Sequence, residues 1–258
     1  PTRKISVDLA SFDEEKSNGV HLEKVYQNEE NVLITDDGSS VTWTVDVPEE
    51  GFYNICLKYI ALPSRNVNME RILKINGSVP FTGADILTFQ RAWKDGGQKR
   101  IDNRGNEIRP VQVESFDWQT EYMRSDSGYE AEPYKFYFPA GKNIITLYAS
   151  NEPMGISSLE IVPVRKIKTY DEYLAAQKSK PESFTATGIE PIKIQGEDAD
   201  RRSSPSLFAK IDRSSPITEP YSVRVNKLNY IGGDSWKNAG QWIEWNFDVP
   251  SDGWYKIS

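Results

Sequence analysis

Three tryptophans in this chain of 258 residues stand in polar, loop-like sequence with planar polar side chains close by. Trp93 comes just after Arg91, Trp118 directly after Asp117, and Trp236 a few residues after Asn229 and Tyr230. An indole offers a flat apolar face, while guanidinium, carboxylate and amide groups offer fixed sets of donors and acceptors. Such a combination can hold a polyhydroxylated ring, with its apolar face stacked and its hydroxyls paired. The same tryptophans could instead plug the ends of a β-fold, and their spacing leaves both readings open. Trp43, Trp245, Tyr53 and Tyr255 differ, because each falls in strand register and is expected in a core.

Groups that break bonds are scarcer. There is no Gly-x-Ser-x-Gly elbow, no His-Glu-x-x-His and no glycine-rich phosphate loop. His21 is the one histidine, so no triad can be assembled from the sequence, and a surface role fits it better than metal binding. Glycoside hydrolysis needs two carboxylates, and 38 acidic residues will produce pairs by chance. Most of these acids fall in turns or on the polar side of strands, where solvation explains them. The expectation is a non-enzyme.

Composition narrows the partners. A formal charge of -7 leaves no basic footprint, so nucleic acid is excluded as the expected partner. No apolar run approaches the roughly 20 residues of a spanning helix, so no transmembrane segment is expected, and the opening residues lack a secretory signal pattern. Cys56 is the single cysteine and cannot form an internal disulfide; its place between Ile55 and Leu57 marks it as a small core residue. With 12% aromatics, 15 prolines and 17 glycines, the chain suits an all-β protein with many turns.

The elements that position these residues are written twice. Ser40–Cys56 and Trp242–Ser258 align without gaps, pairing Val41 with Ile243, Trp43 with Trp245, Asp46 with Asp248 and Pro48 with Pro250. Gly51, Tyr53 and Ile55 then fall on Gly253, Tyr255 and Ile257, which marks an internal duplication. Val41, Trp43, Val45 and Val47 alternate with polar residues, and Tyr53, Ile55, Leu57 and Tyr59 do so again after Gly51, so each copy predicts two antiparallel strands joined as a hairpin. Asn76-Gly77 marks a tight turn, and Tyr134–Phe138 and Gly141–Tyr148 predict two more strands. Residues 86–132 lack any period beyond a short strand near Leu87, and they predict a long structured loop of the sort that carries function. Thr169-Tyr-Asp-Glu is a capping box, predicting a helix of two to three turns that ends before Pro181.

This divides the chain into a β-sandwich over 1–165, a helical connector and linker over 166–190, and the N-terminal part of a second sandwich over 191–258. Ser258 aligns with Cys56 while the first copy runs on to Val164, so the second module is expected to be truncated and completed by the remainder of a longer polypeptide.

The second copy resembles the carbohydrate-binding modules of families 6 and 35. The residues that carry this are Ile194-Gln-Gly-Glu-Asp-Ala and the block Tyr230-Ile-Gly-Gly followed by Gly240-Gln-Trp-Ile-Glu-Trp-Asn-Phe-Asp-Val-Pro. The first copy looks like a more divergent relative, and its insert, from Arg91-Ala-Trp-Lys-Asp to Trp118-Gln, is similar to tandem modules of large extracellular solute-binding proteins of Gram-positive bacteria. The resemblance implies a jelly-roll β-sandwich, galactose-binding-like, that captures an oligo- or polysaccharide outside the cell or at its surface. The glycan contacts it implies are Arg91, Trp93, Asp117 and Trp118 in the first copy and Asn229, Tyr230 and Trp236 in the second. It also implies a structural calcium ion at Glu197, with Ala199 standing where the family pattern carries a second acid. The alternative is a structural or interaction module that docks a solute-binding or catalytic domain.

Overall fold

The structure is a computed structural model and describes residues 1–128, 130–165, 168–178, 190–250 and 255–257. Strands β1 (Ile5–Val7), β2 (Asn18–Tyr26), β3 (Glu29–Val47), β4 (Gly51–Ala61), β5 (Met69–Ile75) and β6 (Leu87–Phe89) open the chain. Four short strands follow, β7 (Ala92–Asp95), β8 (Arg100–Ile101), β9 (Glu107–Ile108) and β10 (Gln112–Ser115). Then come β11 (Gln119–Tyr122), β12 (Phe136–Phe138), β13 (Gly141–Asn151) and β14 (Met154–Pro163), which close a jelly-roll β-sandwich.

The alternation in the first repeat copy does what it predicts for burial. Val41, Trp43, Val45 and Val47 are at most 6% exposed, and Tyr53, Ile55, Leu57 and Tyr59 are at 0%. The predicted hairpin is not formed, however. β3 pairs with β13 from Ser40 to Val47, β4 pairs with β14, and β3 and β4 face one core from opposite layers. Two strands that are each apolar on one side gain more by closing a core between them than by lying side by side with one face bare. β12 and β13 separate in the same way, β12 to β4 and β13 to β3 and β5. The layers join at a corner where Met154–Ile156 pairs with both β3 and β4. The turn at Asn76-Gly77 is present, with both residues at positive φ (52° and 84°) and Ile75 and Ser78 exchanging backbone hydrogen bonds. Cys56 is buried as read, and burial pushes its thiol up to about 11, which leaves it inert near neutral pH.

The long loop is an arm. β7 and β10 form an antiparallel ladder from Ala92↔Ser115 to Asp95↔Gln112, and β8 pairs with β9 at its tip. Helix α1 (Tyr170–Lys178) follows, capped as predicted: the Glu172 carboxylate accepts from the Thr169 amide at 2.8 Å, and the Thr169 hydroxyl accepts from the Glu172 amide at 3.3 Å. The end expected before Pro181 lies outside the described residues.

The second copy departs from expectation. Its described strands are short: β15 (Arg201–Arg202), β16 (Ala209–Lys210), β17 (Tyr230–Ile231) and β18 (Ile243–Glu244). Neither the stretch from Ile194, which the resemblance implies is an opening strand, nor the stretch from Trp245 to Pro250 forms a strand. β15 adds instead to the edge of the arm, Arg202 opposite Trp93, giving a four-stranded sheet in the order β10-β7-β15-β18. The arm therefore seats the second stretch.

Candidate functional site

At the root of that seat lies a groove of about 440 Å³. Trp118, Gln119, Thr120, Glu121 and Arg124 line it from the sandwich side, where β11 pairs with β4. Arg201, Gly240, Gln241, Trp242 and Glu244 line it from the second stretch. Trp118 and Trp242 thus border one opening, one from each wall. The Trp118 indole is half-buried and fixed by donating Nε1–H to the Gln27 carbonyl at 3.0 Å, with the Lys58 ammonium 5.8 Å from its ring centroid. Trp242 is fixed through its backbone: its amide donates to the Ser203 hydroxyl at 2.9 Å, and its carbonyl accepts from the Ser203 amide at 3.0 Å.

The charges in the groove are paired among themselves. Arg201 donates Nε–H and Nη2–H to the two oxygens of Glu244 at 2.7 and 2.8 Å, a bidentate fork, and its Nη1 lies 3.8 Å from Asp117. Glu244 in turn is held below the usual carboxylate range, first by that hydrogen bonding. Arg124 stands 3.6 Å from Glu121. Burial pushes the Glu121 carboxyl up, against the opposing pull of Arg124 and of the Tyr59 hydroxyl. The outcome is an opening bordered by two tryptophans and by carboxylate and guanidinium groups paired with one another, without a free excess of charge.

Of the residues singled out from sequence, the groove gathers Trp118, with Asp117 at its edge. Arg91 is a correction: it is fully buried, its guanidinium donating to the carbonyls of Val67 at 2.6 Å and Leu62 at 3.0 Å and pairing with Glu114 and Glu152. Asn229 is likewise 6% exposed and occupied, its amide donating to the carbonyls of Asp212 and Pro220 and accepting from the Asp212 amide N–H. Both are enclosed by the protein, away from any ligand at the surface. Trp93 is half-buried in β7 beneath the seat, while Tyr230 and Trp236 lie together by the turn Gly232–Ser235, outside the groove, with Trp236 at 47% exposure.

Trp242, Arg201 and Glu244 were not singled out for ligand contact. A signal existed for Trp242: in the run Trp242-Ile-Glu-Trp, the core face falls on Ile243 and Trp245, so Trp242 and Glu244 share the solvent side. A large aromatic on the polar parity of a strand calls for an explanation.

Glu197 sits elsewhere, in a cavity of about 420 Å³ between the arm and the second stretch, with Asp95, Lys99 and Asp198 nearby. The donor set does not fit the calcium that the resemblance implies. Calcium takes six to eight oxygens, whereas Asp198 is engaged by Lys99 at 3.1 Å and Asp95 by Arg202 and Gln112. Among the described residues there is no group of three or more metal-binding side chains. Glu197 is 3% exposed, its Oε1 has no hydrogen-bond partner, and burial followed by the charge of Asp198 pushes its carboxyl up. An acid whose folded pKa is raised favours the folded state while protonated, and its ionisation costs stability as pH rises through the folded value. Glu197→Gln is therefore expected to raise the thermal midpoint above wild type near neutral pH and to lose that advantage as pH falls into the ordinary carboxylate range. Thermal melts across pH, with chelator, check this; a lowered midpoint at neutral pH contradicts it.

No family model matches the chain, and no curated protein matches it. Solved structures of carbohydrate-binding modules are similar to it. A family 35 module from Clostridium thermocellum shares 12% identity, with 62% of this chain and 98% of that one covered and a TM-score of 0.40. The C-terminal family 6 module of LamC, a marine laminarinase of Zobellia galactanivorans, shares 17% over 62% and 99%, with a TM-score of 0.36. A family 35 module of Cellvibrio japonicus Abf62 shares 16% over 63% and 95%, with a TM-score of 0.39. The functional reading rests on the groove. Among the described residues no helix is long and apolar enough to cross a membrane.

Proposed function

We propose that the chain is a non-catalytic glycan-binding protein, and that the groove between Trp118 and Trp242 is where the glycan sits. The observation that carries this is an opening bordered by one tryptophan from each wall, Trp118 and Trp242, and by two ion pairs, Arg201 with Glu244 and Arg124 with Glu121. A pyranose presents an apolar face for stacking and equatorial hydroxyls for pairing, and a groove open at the surface admits an internal segment of a polymer. In this reading the protein works outside the cell or at its surface in capturing an oligo- or polysaccharide, as one portion of a longer polypeptide. A structural role remains the alternative, favoured by how fully the arm is engaged with the second stretch.

The test is calorimetric titration of the full chain with gluco-, manno- and xylo-hexasaccharides of β-1,4 and β-1,3 linkage. At least one is expected to bind saturably, and Trp118→Ala or Trp242→Ala is expected to weaken it about 30-fold, corresponding to roughly 2 kcal/mol for a central aromatic contact. Binding unaffected by either substitution would place the glycan elsewhere, and no binding across a broad panel favours the structural role.

A further inference from the structure

The contacts that hold the two walls of the groove together lie outside it, and one residue connects them to it. Arg202 is fully buried and reaches from the second stretch into the arm, donating Nη1–H to Asp95 Oδ1 and Gln112 Oε1, both at 2.9 Å. Its Nη2 donates to the Ala199 carbonyl at 2.8 Å, and its backbone lies opposite Trp93 at the edge of β7. Successive residues of a strand point to opposite faces, so with Arg202 turned into the arm, Arg201 turns to the groove. β18 then pairs on β15, with Glu244 opposite Arg201 and Ile243 opposite Arg202, and Ser203 fixes Trp242. The place of Trp242 is thus set by β15, and the place of β15 by Arg202.

A second attachment lies at the tip of the arm. Glu107 accepts from the Lys227 ammonium at 2.8 Å and from the Leu228 amide at 2.9 Å, and the Asn106 side chain accepts from the Asn226 amide at 2.9 Å. Arg109 stacks on the Phe208 ring, 3.4 Å from its centroid. None of these residues lines the groove.

We infer that Arg202 is a positioning residue for the groove, which is a composite site present only while the second stretch is docked on the arm, so that glycan binding and docking are coupled. The inference rests on the groove reading above. When only the docked fraction can bind, the apparent dissociation constant rises as the inverse of that fraction. Linkage requires the converse: a glycan in the groove must tighten docking, including at the arm's tip, which it does not touch.

The test uses the full chain and the hexasaccharide that binds best in the titration above, with two readouts. Arg202→Glu faces Asp95 with like charge across the seat and is expected to weaken binding at least 10-fold while the thermal transition of the sandwich core persists. In the wild type, which needs no variant to fold, saturating hexasaccharide is expected to slow hydrogen exchange of the Asn226 and Leu228 amides several-fold. A merely structural Arg202 would not link the glycan to those amides. Equal binding by Arg202→Glu, or glycan binding that leaves the exchange at Asn226 and Leu228 unchanged, overturns the coupling and leaves the groove reading standing. A wild-type chain that binds none of the hexasaccharides overturns the groove reading and this inference with it.

Discussion

Arg91→Ala is expected to lower stability by roughly 3–5 kcal/mol, read as a fall in thermal midpoint on the order of 10 °C. The cost comes from what the guanidinium leaves behind. Glu152 is fully buried and Glu114 nearly so, and Arg91 neutralises both while also satisfying the Val67 and Leu62 carbonyls. Arg65 bonds Glu152 from the other side at 2.8 Å but is itself mostly exposed, so it cannot replace a buried partner. Glu152 also holds a left-handed backbone, φ 65°, in the tight connection between β13 and β14, a conformation kept only because the surroundings over-determine it. Burial pulls the Glu152 carboxyl up, but the hydrogen bonds and charges of Arg65 and Arg91 outweigh it and hold it below the ordinary range. An acid with a depressed folded pKa contributes stability that is present above its unfolded value and lost as pH falls through its folded one. The gap between wild type and Arg91→Ala should therefore be widest near neutral pH and narrow on acidification. Calorimetric melts from neutral to acid pH give both quantities. A midpoint shift of a degree or two, or a gap that widens in acid, contradicts this account. Arg91→Met combined with Glu114→Gln and Glu152→Gln should recover part of the loss, because it removes the stranded charges together with their partner.

That Arg91 is structural was not legible in the sequence, and the reason is physical. Its partners are Leu62, Val67, Glu114 and Glu152, brought in from three other loops and strands, and a charged side chain beside a tryptophan has the same local appearance whether it meets a ligand or a buried acid. Asn229 misleads in the same manner, since its partners at Asp212 and Pro220 close a loop that no period reveals. What the local pattern does determine came through. Period-two alternation placed Val41 to Val47 and Tyr53 to Tyr59 in the core, Asn76-Gly77 marked its turn and Thr169 to Glu172 its helix cap, because each depends on neighbours within a few residues. Which strands would pair did not follow from alternation, since a one-sided strand meets its partner equally well alongside or across a core. Within the groove, Trp118 and Asp117 were readable as aromatic and polar residues of a loop, whereas Arg201 became part of the site only through the docking of β15.

Trp43→Ala and Trp245→Ala occupy the same place in the repeat and are expected to give opposite results. Trp43 is fully buried among β3, β13 and the segment at Leu9, and its loss should cost about 3–5 kcal/mol, a midpoint fall again on the order of 10 °C. Trp245 is half-exposed and tied by one hydrogen bond, Nε1–H to the Gly196 carbonyl at 3.2 Å, so its loss should cost about 1 kcal/mol or less. Its assignment to a core by register is thus corrected, as is that of Tyr255, which is 40% exposed. The difference lies in the covering strands. Val45, Val47, Tyr53 and Ile55 are 6, 0, 0 and 0% exposed beneath the sandwich, whereas their counterparts Phe247, Val249, Tyr255 and Ile257 are 56, 46, 40 and 96% exposed. In the first copy the layer of β3 and the layer of β4 cover each other across one core, each widened by the strands paired alongside (β13 for β3, β12 and β14 for β4), and among the described residues of 191–258 no such pair of layers forms. Periodicity encodes which face of a strand can be buried, and burial itself requires a second apolar surface to meet it. Thermal melts of the two variants side by side decide the point: equal losses would mean that the second copy shares the packing of the first.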